Sequence, residues 1–488
     1  MNLFNQRLKY FNIASIFLLL KLISKIHCLI ELPITKISSP KIPKYPDFIP
    51  NTEIPEYIKN KILLKNPSNK NKLLNAFNSY LSSLSPGNIT IIQNLLFTIN
   101  IKLGSSKQLF SLLVDTGSSI TWVPIKNSHD FYPLEHHYDP SISSTSIKKS
   151  EDPFEIEYGS GYCKGNYYSD NIIYIKDKEF KMDFGAADKT NFFVTGADGI
   201  LGLSRIYDDY DKSFINMMCK GHITDSQIFS VKLGVNSTQE KNGTFYIGKH
   251  SDFDKDSVVS CELNNDNYYE VNYWSCDILS FSVENKKENI KINSEKKISV
   301  IFDTGTNAIF LPYSYLEDTM PTLEKMNCFT KKYKSTPNRY QLICLDNLPD
   351  FNLNIGGHTF ILPGKYFFSY EKGFAYSDIF FQESSTNKDN DNDNEVYIIG
   401  SPFFILFHVL FDSYTKELFF YPEIDGTIIK GSWWNKKHIV IVIIFILIII
   451  FTSGLIILFI LWNKKNKLEF DEKLLDDKFE IRTYFSLL

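Results

Sequence analysis

The chain has 488 residues, of which 43% are hydrophobic and 15% aromatic, enough to bury a sizeable core and to exclude a wholly disordered chain. Lys and Arg number 52 against 56 Asp and Glu, a formal net charge of −4, so the basic excess of a nucleic-acid binder is missing and no nucleic-acid partner is expected. Seven cysteines are too few and too scattered for a disulfide-rich miniprotein or a zinc ribbon.

The N-terminal residues 1–28 have the pattern of a secretory signal peptide. Arg7 and Lys9 precede an apolar run from Phe11 to Leu20. Lys21 interrupts that run, so an uncleaved membrane anchor is the alternative.

A second apolar segment, Ile439–Trp462, lies near the C-terminus and carries no charge over 24 residues. A helix of this length crosses a hydrocarbon core of ~30 Å. Lysines are more numerous after the segment than before it, which favours a cytosolic tail at 463–488. The sequence therefore predicts a type I single-pass membrane protein whose body lies in the secretory pathway, in an endosomal compartment or at the cell surface.

Residues 29–87 are rich in proline and in lysine. This segment is interpreted as an N-terminal arm or as a basic propiece. Three Asn-x-Ser/Thr sites are candidates for glycosylation, as expected of a secreted protein: Asn88, Asn236 and Asn242.

From about residue 94 onward, short runs of Phe, Ile, Val and Tyr alternate with turn residues, which predicts a mainly β body. The segment Gln382–Glu395 is polar and acidic and is predicted to be a solvated loop. The predicted strands are Leu95–Leu103, Leu109–Val114, Asn171–Ile175, Phe229–Leu233, Thr244–Ile247, Ile298–Phe302 and Val396–Ile399.

The body contains an internal repeat. Asp115-Thr116-Gly117-Ser118 recurs 188 residues later as Asp303-Thr304-Gly305-Thr306, and each copy follows an apolar strand. Each half also has an apolar run that ends at a glycine, Gly202 or Gly400. The repeat predicts two similar lobes, which we place at residues 88–255 and 256–430.

Two lobes packed about a pseudo-two-fold axis would bring the two aspartates to one point. Like charge then raises the proton affinity of one carboxyl, so that the pair holds a single proton. One carboxyl can take a proton from a bound water while the other protonates a carbonyl oxygen. This hydrolysis uses neither a metal nor a cofactor, and none is expected.

These motifs resemble those of the pepsin-like (A1) aspartic proteases over about residues 94–425. The resemblance implies a mainly β, bilobal pepsin-like fold with pseudo-two-fold symmetry. It implies that Asp115 and Asp303 are catalytic and that Tyr158 is the flap tyrosine. The alternative is that the two aspartates belong to ordinary turns and that Tyr158 is an ordinary strand residue. The other matching positions are the dyad supports Thr116, Gly117, Ser118, Thr304, Gly305 and Thr306, and the flap and substrate residues Gly159, Gly161 and Trp122.

The cysteines depart from the family pattern, because none stands between Cys28 and Cys163. The resemblance implies a disulfide between Cys328 and Cys344. The pairing of the remaining four residues stays open: Cys163, Cys219, Cys261 and Cys276.

The predicted function is therefore that of a membrane-anchored aspartic endopeptidase, similar to memapsins and plasmepsins, which acts on polypeptides as a monomer. The resemblance also favours the propiece interpretation of residues 29–87, because lysines of pepsin-type propieces neutralise the carboxylates of the inactive cleft. A catalytically inactive binding or adhesion protein of the same fold is the alternative.

Overall fold

The structure is a computed structural model. It describes residues 30–36, 96–128, 136–158, 161–175, 178–190, 196–205, 213–224, 227–233, 243–265, 272–285, 290–333, 338–345, 347–371, 373–383, 397–431 and 436–485. The predicted signal peptide, the three glycosylation candidates Asn88, Asn236 and Asn242, and nearly all of the acidic loop lie outside the described residues.

The chain forms two compact units, Met1–Lys430 and Gly431–Leu488. The first half of the larger unit is built of strands and one short helix. These are β1 (Ile30–Lys36), β2 (Phe97–Leu103), β3 (Gln108–Asp115), β4 (Trp122–Pro124), β5 (Ile147–Tyr158), β6 (Gly161–Ile175), β7 (Lys178–Thr190), β8 (Gly199–Gly202), α1 (Phe214–Lys220), β9 (Ile228–Leu233) and β10 (Gly243–Ile247).

The second half is likewise built mainly of strands and has three further helices. Its elements are β11 (Val259–Glu262), β12 (Ser275–Asn285), β13 (Ile290–Ser294), β14 (Ile298–Phe302), β15 (Ile309–Pro312), α2 (Tyr313–Lys325), β16 (Cys328–Lys332), β17 (Arg339–Cys344), β18 (Asp350–Ile355), β19 (His358–Leu362), α3 (Gly364–Phe367), β20 (Phe368–Glu371), β21 (Phe374–Gln382), β22 (Tyr397–Ile399), α4 (Ser401–Leu406), β23 (Phe407–Asp412), β24 (Glu417–Pro422) and β25 (Ile428–Ile429).

The strands form two large sheets, and the mainly β, bilobal fold predicted from the sequence is confirmed. The 13-stranded sheet has the order β11-β24-β23-β9-β10-β1-β2-β3-β8-β4-β7-β6-β5. The 12-stranded sheet has the path β16-β17-β21-β15-β22-β14-β12-β18-β19-β25, with β13 on β12 and β20 on β21.

The two lobes repeat one pattern of strand pairing. In the first lobe β3 runs parallel to β8, and β4 pairs antiparallel with β8 and parallel with β7. In the second lobe β14 runs parallel to β22, and β15 pairs antiparallel with β22 and parallel with β21. The sequence repeat is thus a repeat of topology, and it places each aspartate at the end of an equivalent buried strand.

Strand β1 lies inside the larger sheet, paired antiparallel with β10 and with β2. Its side chains Leu32 and Ile34 are buried in the core. The start of the segment that the sequence analysis treats as an arm or propiece therefore contributes a strand to the folded body. The rest of that segment lies outside the described residues.

Two disulfides brace the second half of the body. The bridge Cys328–Cys344 joins the facing strands β16 and β17, as the resemblance implied. The bridge Cys261–Cys276 joins β11 to β12, a pairing that the sequence left open. Cys163 and Cys219 are outside these two bridges.

The described residues of the smaller unit form one helix, α5 (Lys436–Phe485), after Gly431. Residues Ile443–Lys467 of this helix are long and apolar enough to span a membrane, and none of that span is buried against protein. The predicted span Ile439–Trp462 overlaps it, and the helix continues without a break into the tail.

Candidate active site

The aspartates stand at the start of two tight turns with the same internal hydrogen bonds. Asp115 ends β3 and Asp303 follows β14 directly. The Gly117 amide donates to Asp115 Oδ1 at 2.9 Å, and the Gly305 amide donates to Asp303 Oδ1 at 2.8 Å. Each turn therefore fixes its own carboxyl group on a rigid strand end.

A hydroxyl group holds the second oxygen of each carboxyl. Ser118 donates to Asp115 Oδ2, and Thr306 donates to Asp303 Oδ2 at 2.6 Å. Both predicted supporting residues thus lie where the sequence analysis placed them.

Thr116 and Thr304 lock the two turns together by crossing to the opposite lobe. The Thr116 hydroxyl donates to the Phe302 carbonyl, and the Thr304 hydroxyl donates to the Val114 carbonyl, both at 2.7 Å. Each hydroxyl also accepts a backbone N–H from the other threonine, at 3.0 and 3.2 Å. Because both threonines are buried, these four bonds fix the separation of the two strand ends.

The two glycines show why the motif excludes any larger residue. A Cβ atom on Gly117 would lie 2.8 Å from Asp303 Cγ, and one on Gly305 would lie 2.5 Å from Asp115 Cγ. Each carboxyl therefore sits over the backbone of the opposite turn, and the two aspartates face each other at the lobe boundary.

This arrangement changes the protonation of Asp115. Burial and then the charge of Asp303 raise the pKa of Asp115 well above its usual range, and a hydrogen bond between the two carboxyls raises it further. Bonds from Ser118 and Gly117 lower the pKa but do not reverse the direction. The pair therefore retains a shared proton at pH values where an exposed aspartate is fully ionised.

Tyr158 and Trp122 form the wall beside the pair. The indole Nε1 of Trp122 donates to the Tyr158 hydroxyl at 2.8 Å. Burial, followed by the charge of nearby Asp115, raises the pKa of Tyr158, so its hydroxyl stays protonated. Tyr158 ends β5 and Gly161 begins β6, whereas Gly159 lies outside the described residues.

The glycine that ends each apolar run lies directly beneath an active-site turn. A Cβ on Gly202 would lie 2.7 Å from the Ile120 backbone, and one on Gly400 would lie 2.1 Å from the Ala308 carbonyl oxygen. The residue after each glycine donates its amide to the turn: Leu203 to the Asp115 carbonyl, and Ser401 to the Thr306 carbonyl. The sequence analysis did not name these two amides, although the glycine runs marked their place.

Among the described residues, one group has the ligand types and spacing of a metal site: His250, Asp252 and His408. Its carboxylate is already paired with Lys255 at 2.5 Å and with Lys232 at 3.3 Å. Two ammonium groups at that distance repel a divalent ion, so we interpret the cluster as an ion-pair network that braces the sheet. Burial lowers the pKa of His408 to about 3 and keeps it neutral within this network.

A family model described as eukaryotic aspartyl protease matches residues 96–421. The chain is 30% identical to the vacuolar protease A of Aspergillus fumigatus over 283 residues, covering 56% of this chain and 66% of that protein. It is 28% identical to cathepsin D of Gallus gallus, covering 54% and 65%, and 30% identical to plasmepsin IV of Plasmodium falciparum, covering 58% and 70%.

The alignments span about two thirds of the length of these relatives, and all three are named proteases of the aspartic class. The family match covers both aspartate turns and both glycine runs. The chain therefore belongs to the eukaryotic aspartyl protease family and is an aspartic-type endopeptidase by family membership.

Proposed function

We propose that this chain hydrolyses peptide bonds of polypeptides with a water molecule activated between Asp115 and Asp303. The observation that carries the proposal is the pair of facing carboxyls, each held by a glycine amide and a hydroxyl, with a raised pKa at Asp115. Because the pair keeps one proton, it can supply an acid and a base at the same time.

Asp303 takes a proton from the water, whose oxygen attacks the carbonyl carbon of the scissile bond, while Asp115 gives its proton to the carbonyl oxygen. The tetrahedral diol then collapses: the carbon–nitrogen bond breaks, the leaving amine takes the proton from Asp303, and a diol hydroxyl returns one to Asp115. The pair is regenerated and no covalent intermediate forms.

Tyr158 supports this chemistry by its position on the β5–β6 hairpin, which we assign as the flap. Its hydroxyl is held by Trp122, so the ring is pre-oriented beside the pair. A hairpin that closes over bound peptide would exclude bulk water from the reaction.

We further propose that α5 anchors the protease in a membrane with its tail in the cytosol, and that it acts on proteins in the secretory or endosomal pathway. One apolar helix of spanning length and the names of the vacuolar relatives support this placement. Residues 29–87 are proposed to be a basic propiece, with an N-terminal arm as the alternative. As a propiece its lysines would neutralise the unliganded cleft, and its release at acid pH would also withdraw β1 from between β10 and β2. A shortened N-terminus after incubation at pH 4, followed by mass spectrometry, would support that release, and an unchanged N-terminus in an active enzyme would contradict it.

The activity is tested with the full chain in detergent and a mixed peptide library between pH 4 and 7, with cleavage products identified by mass spectrometry. Asp115→Asn should lower kcat by about 10³-fold or more, because the pair can no longer divide acid and base roles. The matched control is Asp254→Asn, which changes an exposed aspartate that pairs with Lys249. Cleavage that survives Asp115→Asn would reject the assigned pair.

A further inference from the structure

The second lobe contains a hairpin equivalent to the flap. In the first lobe, β4 pairs with β7, β7 with β6, and β6 with β5, which ends at Tyr158. In the second lobe, β15 pairs with β21, β21 with β17, and β17 with β16. From the pseudo-two-fold symmetry of this pairing, we expect the β16–β17 hairpin to approach the lobe boundary from the side opposite the flap.

Each hairpin also contacts the residue that stands seven positions after the aspartate of its own lobe. The contacts come from different strands, since Tyr158 ends the first strand of its hairpin and Arg339 begins the second strand of its own. Trp122 stands seven residues after Asp115 and binds Tyr158 of the flap. Phe310 stands seven residues after Asp303, and the guanidinium carbon of Arg339 lies 4.5 Å from the centre of its ring. Arg339 begins β17, as the first strand residue after the hairpin turn. Since Phe310 takes the position in the second lobe that Trp122 takes in the first, we place Arg339, which stacks on Phe310, at the opposite wall of the cleft.

Among the described residues, no carboxylate forms an ion pair with Arg339. Its partner on β21 is Gln382, and the next residue, Glu383, is bound elsewhere. Tyr340 donates to Glu383 at 2.5 Å, and Lys332 lies 3.2 Å from it. Because neighbouring strand residues point to opposite faces, Glu383 and Tyr340 share the face that Arg339 does not use.

The surroundings of Arg339 are apolar on one side. Phe310 stacks on Phe380 with ring centres 5.6 Å apart, and both rings are half-buried. Arg339 is half-buried as well, and this burial is the cause that lowers its pKa. A guanidinium group stacked on an aromatic ring keeps its N–H edge available, and that edge matches a carboxylate in two-point geometry.

We propose that Arg339 forms a subsite on the second-lobe wall that selects an acidic side chain, Asp or Glu, at one fixed position of the peptide substrate. The inference rests on the proposed protease function and names a substrate class for it. Phe310 supplies the platform that orients the guanidinium, and the substrate carboxylate supplies the missing counter-charge.

The experiment uses the full chain in detergent and peptide pairs that differ only by Asp against Asn, or Glu against Gln, at each position around the scissile bond. We expect one position at which the acidic peptide has a kcat/KM about 10- to 30-fold higher than its amide partner. The preference should be larger at pH 6 than at pH 4, because a peptide carboxyl with a pKa near 4 is partly protonated at the lower pH.

Arg339→Met should abolish this preference while cleavage of the amide peptides continues, and Arg339→Lys should retain part of it, because the charge remains but the planar fork is lost. The matched control is Lys332→Met, which removes one positive charge from the opposite face of the same hairpin and should leave the preference intact. Thermal melts of each variant show whether it is folded, and the pH dependence in the unchanged chain tests the subsite without any substitution.

A wild-type chain that cleaves the peptides with no acidic preference at any position would overturn the subsite, as would a preference unchanged in Arg339→Met. If no peptide is cleaved, the proposed function fails, and the subsite is then decided by fluorescence anisotropy of the same peptide pairs. Equal binding of acidic and amide peptides would reject it, and tighter binding of acidic peptides that Arg339→Met removes would support it.

Discussion

The protonation of the Asp115 carboxyl group depends more on its surroundings than on the ordinary pKa of an aspartate. The side chain is 6% exposed, and burial together with the charge of Asp303 raises its pKa. The same residue in an unfolded chain ionises near pH 3.9. The difference links the state of the catalytic pair to the stability of the whole fold.

The first prediction concerns this linkage. As pH rises above the unfolded pKa, the unfolded chain loses a proton that the native pair still holds, so native stability falls until the raised pKa is reached. Asp115→Asn removes that titration. We expect the variant's gain in melting temperature over the unchanged chain to be larger at pH 7 than at pH 3, measured by thermal unfolding in detergent.

Asp254→Asn is the control for that series, because this aspartate is exposed and should show no such pH-dependent gain. If Asp115→Asn changes the melting temperature by the same amount at pH 3 and at pH 7, the raised pKa of Asp115 is contradicted.

The second prediction uses the close approach of Gly305 to the facing carboxyl. In Gly305→Ala the added methyl group would lie 2.5 Å from Asp115 Cγ, so one turn must move. We expect kcat to fall by at least about 10²-fold, because a displacement of this size misplaces the reacting groups. Peptide cleavage by purified protein measures the effect.

The matched substitution is Gly454→Ala in α5, where nothing lies within 4 Å of the added methyl group. It should leave kcat unchanged. Normal activity of Gly305→Ala would show that the two turns are looser than their hydrogen bonds indicate.

At the scale of elements, the two disulfides provide a matched pair. The bridges close loops of nearly equal length, with sequence separations of 15 for Cys261–Cys276 and 16 for Cys328–Cys344. Loop-closure entropy for such a length is about 3 kcal/mol. The two bridges differ in location, since one links the two sheets and the other lies within the hairpin that carries Arg339.

The third prediction is that Cys261→Ser with Cys276→Ser, and Cys328→Ser with Cys344→Ser, each lower the free energy of unfolding by about 2–4 kcal/mol, measured by urea unfolding. Only the Cys328 and Cys344 double variant should also weaken the acidic preference, because its hairpin loses a cross-strand tie. If both double variants keep the same preference for acidic peptides, the hairpin does not contribute to substrate selection.

At the scale of the whole molecule, the chain is a β body followed by one long helix. The body buries its apolar residues in strands, whereas the apolar residues of Ile443–Lys467 are not buried against protein. Such an exposed apolar surface needs a non-aqueous environment.

The fourth prediction is that the full chain stays in the membrane fraction after alkaline carbonate extraction, whereas a chain ending at Lys430 is recovered in the soluble fraction. Peptide cleavage should be retained by the shortened chain, because the aspartate pair and both hairpins lie before residue 430. Recovery of the full chain in the carbonate supernatant would contradict the anchor.

Much of the candidate site follows from the sequence, because the repeat Asp-Thr-Gly carries its own local geometry. Asp115 and Asp303 could be named from the repeat, and the family resemblance added their supporting hydroxyls as well as Tyr158 and Trp122. The catalytic roles themselves stay predictions until cleavage is measured. The family resemblance also implied the disulfide Cys328–Cys344, which joins β16 to β17.

Other features depended on contacts between distant segments. The sequence did not predict β1 itself, because no local pattern reveals that Leu32 and Ile34 fill a gap between β10 and β2. Cys261 could not be paired from the sequence, and the position of Arg339 over Phe310 depends on the pairing of β17, β21 and β15.

By itself, the sequence determined which side chains are candidate catalytic groups, that the Asp-Thr-Gly motif occurs twice, and where an apolar helix begins. These properties depend only on residue type and on the pattern of neighbouring residues. Only the tertiary structure decided that the two carboxyls face each other across crossed glycines, and that Arg339 stacks on Phe310 with no ion-paired carboxylate among the described residues. Both depend on distances between segments far apart in the chain, and those distances are set by sheet pairing and core packing.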